Sequence, residues 1–394
     1  MQVFTAARLL TPSGVITKAY LFVEAGRIVE VGSREGKQIP GNSQFSDLGD
    51  ALIAPGYLDL HIHGSAGADV MDDGADALPT IERFLTHCGV TSYFPTTVTA
   101  PIDKILRALE RLAGAIETRQ QRPESGVQGE KKGVRAIPLG IHLEGPFISH
   151  AKRGVHPPEN LMPPKLATFE RFWEAARGNI RMITIAPELD GAEELIASAA
   201  KRGVCVSLGH SAADLDSSKR AIAAGARHAT HTFNAMRPIE HREPGILGAV
   251  LTDERVSADL IADGIHLDPT IVKLVAEAKG LDGTVLITDA TAATGMPEGR
   301  YHLGALEVEV RDGKCMANGR LAGSVLTMDL AVRNLVKFAG WDLSEAAAAA
   351  SRNPARTARF DKKGRLEVGA DADFVILNDR GEVVRTFIGG VESA

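Results

Sequence analysis

Eight apolar, β-rich runs recur through the middle of this chain, and helix-like segments separate them. They occupy residues 58–63 ("LDLHIH"), 92–98, 136–144, 181–188, 204–210, 227–231, 256–263 and 284–289. A strand buried on both faces reads as a near-continuous apolar run, and a parallel neighbour requires a crossover, usually a helix. The helical spacing is plainest at 191–203 and 214–225. Eight such units predict a (β/α)8 barrel.

The two chain ends read differently. Residues 1–54 alternate short strand-like runs with turn signals such as Gly26, and the closing segment "GRLEVGADADFVILNDRGEVVRTFIGG" has the same hairpin character. We expect 1–54 and 355–394 to build one small β unit together, with 55–354 forming the barrel. The polar, Gly-containing stretch 120–135 is expected to be an exposed loop.

Bulk properties remove several function classes. The net charge is −6, basic residues are scattered and aromatics make up 5% of the chain, so neither a nucleic-acid footprint nor a stacking surface is present. No apolar run of 18 residues and no signal-peptide pattern occurs, which leads us to expect a cytoplasmic protein with no membrane partner. Cys88, Cys205 and Cys315 lack a CxxC arrangement and suit reduced thiols, with Cys205 expected to be buried and inert. Walker A, GxGxxG and GxSxG motifs are missing.

In a barrel, chemistry gathers at the C-terminal ends of strands. His61 and His63 stand at i and i+2 on the first run and share a face. Taken alone, the pair suits rim residues as well as metal ligands, because twelve histidines make a chance His-x-His ordinary. Glu144 closes the third run just before a Gly-Pro break, with His142 on the same face; His210 closes the fifth run and His231 the sixth. Two imidazoles and a carboxylate from separate strand ends suit a divalent metal with one position open. Zinc fits best, while iron, manganese and cobalt are also compatible with such donors. Asp289 ends the eighth run, placed to act as a general base. Arg242 and His266 follow the sixth and seventh runs as candidate phosphate donors, although Arg242 is equally suited to a surface ion pair.

The segments "DLHIHG", "HLEGPF", "GHSAA", "HTFNAM", "REPG", "ADGIH", "TDATAATG" and "LAGS", in this order, resemble the N-acetylglucosamine-6-phosphate deacetylase family of the amidohydrolase superfamily, over nearly the whole chain. The resemblance implies a deformed (β/α)8 TIM barrel with a small β-sandwich domain formed by both chain ends. It makes Glu144, His210 and His231 the principal metal ligands, Asp289 the catalytic acid/base, and His156 a group that polarises the substrate carbonyl. It assigns Asn234, Ala235, Arg242 and His266 to the sugar phosphate, with Val155, Ala322 and Gly323 nearby. In this family the arginine can reach across a dimer interface, so a homodimer is implied. Members differ at the His-x-His positions, and His61 and His63 here would permit a second ion through Glu144. The superfamily's bridging lysine has no counterpart in "HLEGPF". The alternatives are a deacetylase of the C4-epimeric N-acetylgalactosamine 6-phosphate and a non-catalytic sugar-phosphate sensor.

Overall fold

The computed structural model describes all residues except 39, 42, 122–133 and 394. The stretch read as an exposed loop, 120–135, therefore lies largely outside the described residues.

Eight parallel barrel strands follow one another in chain order: Tyr57–Ile62, Val90–Thr97, Ile141–Glu144, Ile180–Ile185, Cys205–Leu208, His228–Ala229, Ser257–Leu260 and Thr284–Leu286, with the third preceded by a two-residue strand, Ile137–Pro138. Nearly every residue of these strands is buried. That is why the sequence shows apolar runs rather than alternation. Their helices carry one apolar face inward; Ala77–His87, for example, buries Leu78, Ile81 and Leu85.

Closure between the first and eighth strands uses few backbone bonds. The Asp289 amide donates to the His61 carbonyl at 2.9 Å and the His63 amide to the Ala290 carbonyl at 2.8 Å. Beneath them the buried Asp59 carboxylate accepts the Thr288 hydroxyl at 2.5 Å. The barrel is thus nearly closed, and the strand carrying His61 and His63 is fastened directly to the strand end carrying Asp289.

Both chain ends build one separate sheet, ordered Val391–Glu392, Val383–Ile388, Phe374–Leu377, Leu52–Pro55, Gln2–Thr11, Gly14–Glu24 and Arg27–Ser33, with Gln44–Asp47 pairing beside the start of Gln2–Thr11. Phe4 meets Phe374 and Phe387 edge-on at ring-centroid distances of 5.0 and 5.2 Å, so an aromatic core closes the sheet's apolar side.

Lys363 ties this sheet together. Its ammonium lies 2.6 Å from Asp373 and 3.0 Å from Asp371, and Asp373 also accepts the Gly389 amide. Removing Lys363 leaves the buried Asp373 carboxylate without its cation, at a cost of about 3 kcal/mol or more, while Asp371 keeps Arg27 at 2.5 Å. Lys363→Met is therefore expected to lower the urea midpoint while leaving turnover per folded molecule unchanged; an unshifted midpoint would remove the cluster from the stability account.

One element escaped the sequence reading. Strands Gly299–Leu303, Leu306–Arg311, Lys314–Ala317 and Arg320–Leu321 form an antiparallel meander after the eighth barrel strand, with its own small core around Leu303, Val308 and Val310. Cys88, Cys205 and Cys315 are all free, and Cys205 is partly exposed rather than buried. Burial still pushes its thiol up to about 12, which keeps it inert.

Candidate active site

Four imidazoles from strand ends and one from the loop after the third strand gather on one carboxylate. Glu144 Oε1 lies 3.1 Å from His231 Nε2 and 3.3 Å from His210 Nε2; its other oxygen lies 3.4 Å from His61 Nε2 and 3.3 Å from His63 Nε2. His156 Nε2 stands 3.7 Å from the same oxygen. Asp289 Oδ1 approaches His63 at 3.2 Å and His61 at 3.5 Å. Two triads capable of holding a cation result, His61–His63–Glu144 and Glu144–His210–His231, with Glu144 common to both.

The fit of these residues to a metal follows from their tautomers. The Nδ1 atoms of His63, His210 and His231 donate to the carbonyls of Thr96, Lys152 and Asn234 at 3.0, 2.9 and 3.2 Å. In the neutral rings each Nε2 then presents a lone pair to the others and to carboxylate oxygens. Such an arrangement repels itself unless a positive charge sits among the lone pairs, as in metal sites whose histidines are oriented by backbone carbonyls. His/carboxylate donors suit zinc and its first-row neighbours.

The same logic appears in the protonation. Burial alone would lower the His63 imidazole, but hydrogen bonding to Asp289 and Glu144 outweighs it and raises the ring to about 10. Burial is likewise outweighed at His231, where Glu144 raises the imidazole to about 9. Asp289, which burial would raise, is held down at about 2 by His61 and His63. Protons thus collect where a cation would reside. His156 differs, since burial and the neighbouring His210 lower it to about 3 and leave it neutral.

Backbone conformation is specialised here. His210, His231 and Asp289 have φ of 46°, 31° and 50°, in the left-handed region that non-glycine residues seldom adopt. The His231 amide is held by the buried Asp259 carboxylate, which also binds His228 at 3.0 Å. Gly323, at φ 59°, passes so close to Asp289 that an added Cβ would lie 2.9 Å from its carbonyl oxygen. Above the cluster opens a cavity of about 1020 Å³, lined by the 151–160 loop, the strand-end groups and the meander.

A family model for the amidohydrolase family matches residues 52–392. The chain belongs to the amidohydrolase family. Within it, the N-acetylglucosamine-6-phosphate deacetylase of Bos taurus is 38% identical, covering 98% of this chain and 94% of its own. The N-acetylgalactosamine-6-phosphate deacetylase of Escherichia coli O157:H7 is also 38% identical, covering 99% and 98%. Among solved structures, a point mutant of N-acetyl-D-glucosamine-6-phosphate deacetylase from Mycobacterium smegmatis, in complex with N-acetyl-D-glucosamine-6-phosphate, superposes with a TM-score of 0.90 at 34% identity and covers 99% of this chain and 98% of its own.

In this amidohydrolase Val155, Asn234, Ala235, His266 and Gly323 line the cavity along with the cluster. His266 is oriented by Asp263, 2.7 Å away. The Asn234 Nδ2 group is buried without a hydrogen-bond partner among the described residues. Two expected residues stand elsewhere. Ala322 is buried behind Gly323 in the meander core, and Arg242 is exposed on its loop outside the cavity lining. His142 shares Glu144's face but bonds to the Leu60 carbonyl and the Thr184 hydroxyl, and it packs edge-on against His61 at 4.6 Å. Sequence reasoning missed Thr96 and Thr99, which orient imidazoles, Asp259, which holds the His231 backbone amide, and the meander residues Leu306 and Arg320 at the cavity wall.

Proposed function

We propose that this amidohydrolase hydrolyses the acetamide of N-acetyl-D-glucosamine 6-phosphate to acetate and D-glucosamine 6-phosphate. The observation that carries this reading is the convergence of Glu144, four imidazole Nε2 atoms and Asp289 at the floor of a cavity with ample room for a sugar phosphate. Near-full-length relatives named for that activity support it. We assign 1–54 with 355–394 to the small β domain and 55–354 to the hydrolase barrel.

A divalent cation held by Glu144, His210 and His231, with a second held by His61, His63 and Glu144, would supply acidified water and a polarised carbonyl. Zinc suits the donor set best. Asp289 is ionised at neutral pH, so it can take a proton from the attacking water and return it to the departing nitrogen. His156 faces the same oxygen of Glu144 from the cavity side and stabilises the developing oxyanion. Asn234, Ala235 and His266, with Val155 and Gly323 beside them, hold the sugar phosphate, and that binding fixes the acetamide over Asp289. Arg242, exposed and outside its own cavity, serves the phosphate site of a second copy in a homodimer. Free, unreactive cysteines accord with a cytoplasmic enzyme.

The 38%-identical Escherichia coli relative favours a second reading, the galacto epimer as substrate. Acetate release from both sugar phosphates and from their unphosphorylated forms separates the two. Higher kcat/KM for the gluco phosphate supports the first reading, the reverse preference supports the second, and equal rates without phosphate would remove the phosphate-binding assignments.

Metal affinity should depend on pH in a stated direction. His63 and His231, raised to about 10 and about 9, carry protons in metal-free protein at neutrality and must lose them to bind a cation. Zinc titration of the stripped protein is expected to show affinity rising from about pH 6 to about pH 9, with protons released on binding. Affinity independent of pH would show that neither imidazole was protonated.

A further inference from the structure

The second barrel strand contributes no group to the proposed chemistry, yet its end touches two of the imidazoles. Thr96 offers a carbonyl to His63 Nδ1 at 3.0 Å, so the neutral ring of His63 presents an Nε2 lone pair. Three residues on, Thr99 does the opposite to His156. Its backbone amide donates to His156 Nδ1 at 3.3 Å, and its hydroxyl lies 2.8 Å from the same atom. An amide N–H cannot accept, so Nδ1 of His156 is the acceptor and the ring proton must reside on Nε2. Among the cluster's histidines whose Nδ1 has a partner, His156 alone faces a donor there; His63, His210 and His231 all face carbonyls.

We propose that Thr99 is a positioning residue that keeps the proton on His156 Nε2, making that ring a hydrogen-bond donor to the reacting carbonyl and excluding it from metal ligation. The inference rests on the functional reading above. Further support comes from Gly145. At φ 69° it passes Thr99 so closely that a Cβ there would fall 2.1 Å from the hydroxyl oxygen, so the glycine leaves room for this contact. Thr99 itself is 2% exposed. One strand end thereby sets two histidines to opposite tautomers, one for a cation and one for the substrate.

The test uses zinc-loaded full-length protein labelled with 15N-histidine, with His156 assigned by its loss in His156→Asn. Long-range 1H–15N correlations are expected to show Nε2 protonated and Nδ1 unprotonated. Thr99→Val keeps the shape but removes the nearer donor, the hydroxyl at 2.8 Å, and leaves only the amide at 3.3 Å to hold the ring; it should lower kcat by about 10- to 100-fold, as for other groups that orient catalytic side chains. KM and zinc content should stay within about twofold of wild type, and Thr99→Ser should restore kcat. A proton on Nδ1 in the wild type, or full kcat in Thr99→Val, would overturn the proposal. Were Thr99→Val not to fold, the wild-type spectrum decides alone. If the wild type releases no acetate from either sugar phosphate, the functional reading fails, while the tautomer is still decided by that spectrum.

Discussion

Asp289→Asn is expected to retain its metal and lose turnover by about a thousandfold, the usual share of a general acid–base group. The carboxylate sits 3.2 Å from His63 Nε2 and is held at about 2, so it is ionised across the working range and available to accept a proton. Asparagine preserves size but cannot accept and return that proton. Its backbone is fixed independently, by the hydrogen bond its amide donates to the His61 carbonyl and by the close pass of Gly323, so the substitution should not move the loop. KM should change little, because the loss falls on the reacting state. Elemental analysis beside steady-state kinetics checks both halves. Full activity would refute the acid–base role, and loss of metal would make Asp289 a ligand instead.

The second large effect concerns Glu144. Both triads share this one carboxylate, and four imidazoles face it within 3.4 Å. Glu144→Gln removes the negative charge common to both positions and is expected to abolish metal retention and turnover together. His61→Ala/His63→Ala removes donors from one triad only, and should cost one metal equivalent while the Glu144–His210–His231 set keeps the other. Equal metal content in wild type and the double variant would place a single ion on the second triad and leave His61 and His63 as cavity-floor residues.

Much of this arrangement was legible because barrel strands announce themselves as apolar runs and their C-terminal residues must point at the site. Glu144, His210, His231 and Asp289 each end such a run, so the alternation that predicts the barrel also predicts their meeting. The pair His61 and His63 could not be weighed alone, since shared facing on a strand says nothing of what lies opposite. The structure sets the pair against Glu144 and Asp289, the surroundings that one strand's sequence does not show. The meander was hidden inside a region read as barrel, although "LEVEVR" alternates as a half-exposed strand should. Thr96 and Thr99 act through a carbonyl, an amide and a hydroxyl, groups that carry no distinctive signature in one sequence. Arg242 differs again: it lies outside the cavity lining of its own chain, and one sequence does not show which copy's site a loop arginine serves.

The central claim is that one shared metal centre performs an acetamide hydrolysis, and it is tested most directly on a single preparation. Metal content and acetate release from N-acetyl-D-glucosamine 6-phosphate are measured before chelation, after chelation and after zinc is restored. The predicted result is one or two equivalents of divalent metal per chain, with acetate and D-glucosamine 6-phosphate formed in equal amounts. Both metal and activity should vanish with the chelator and return with zinc. Undiminished acetate release from metal-free protein would contradict the account.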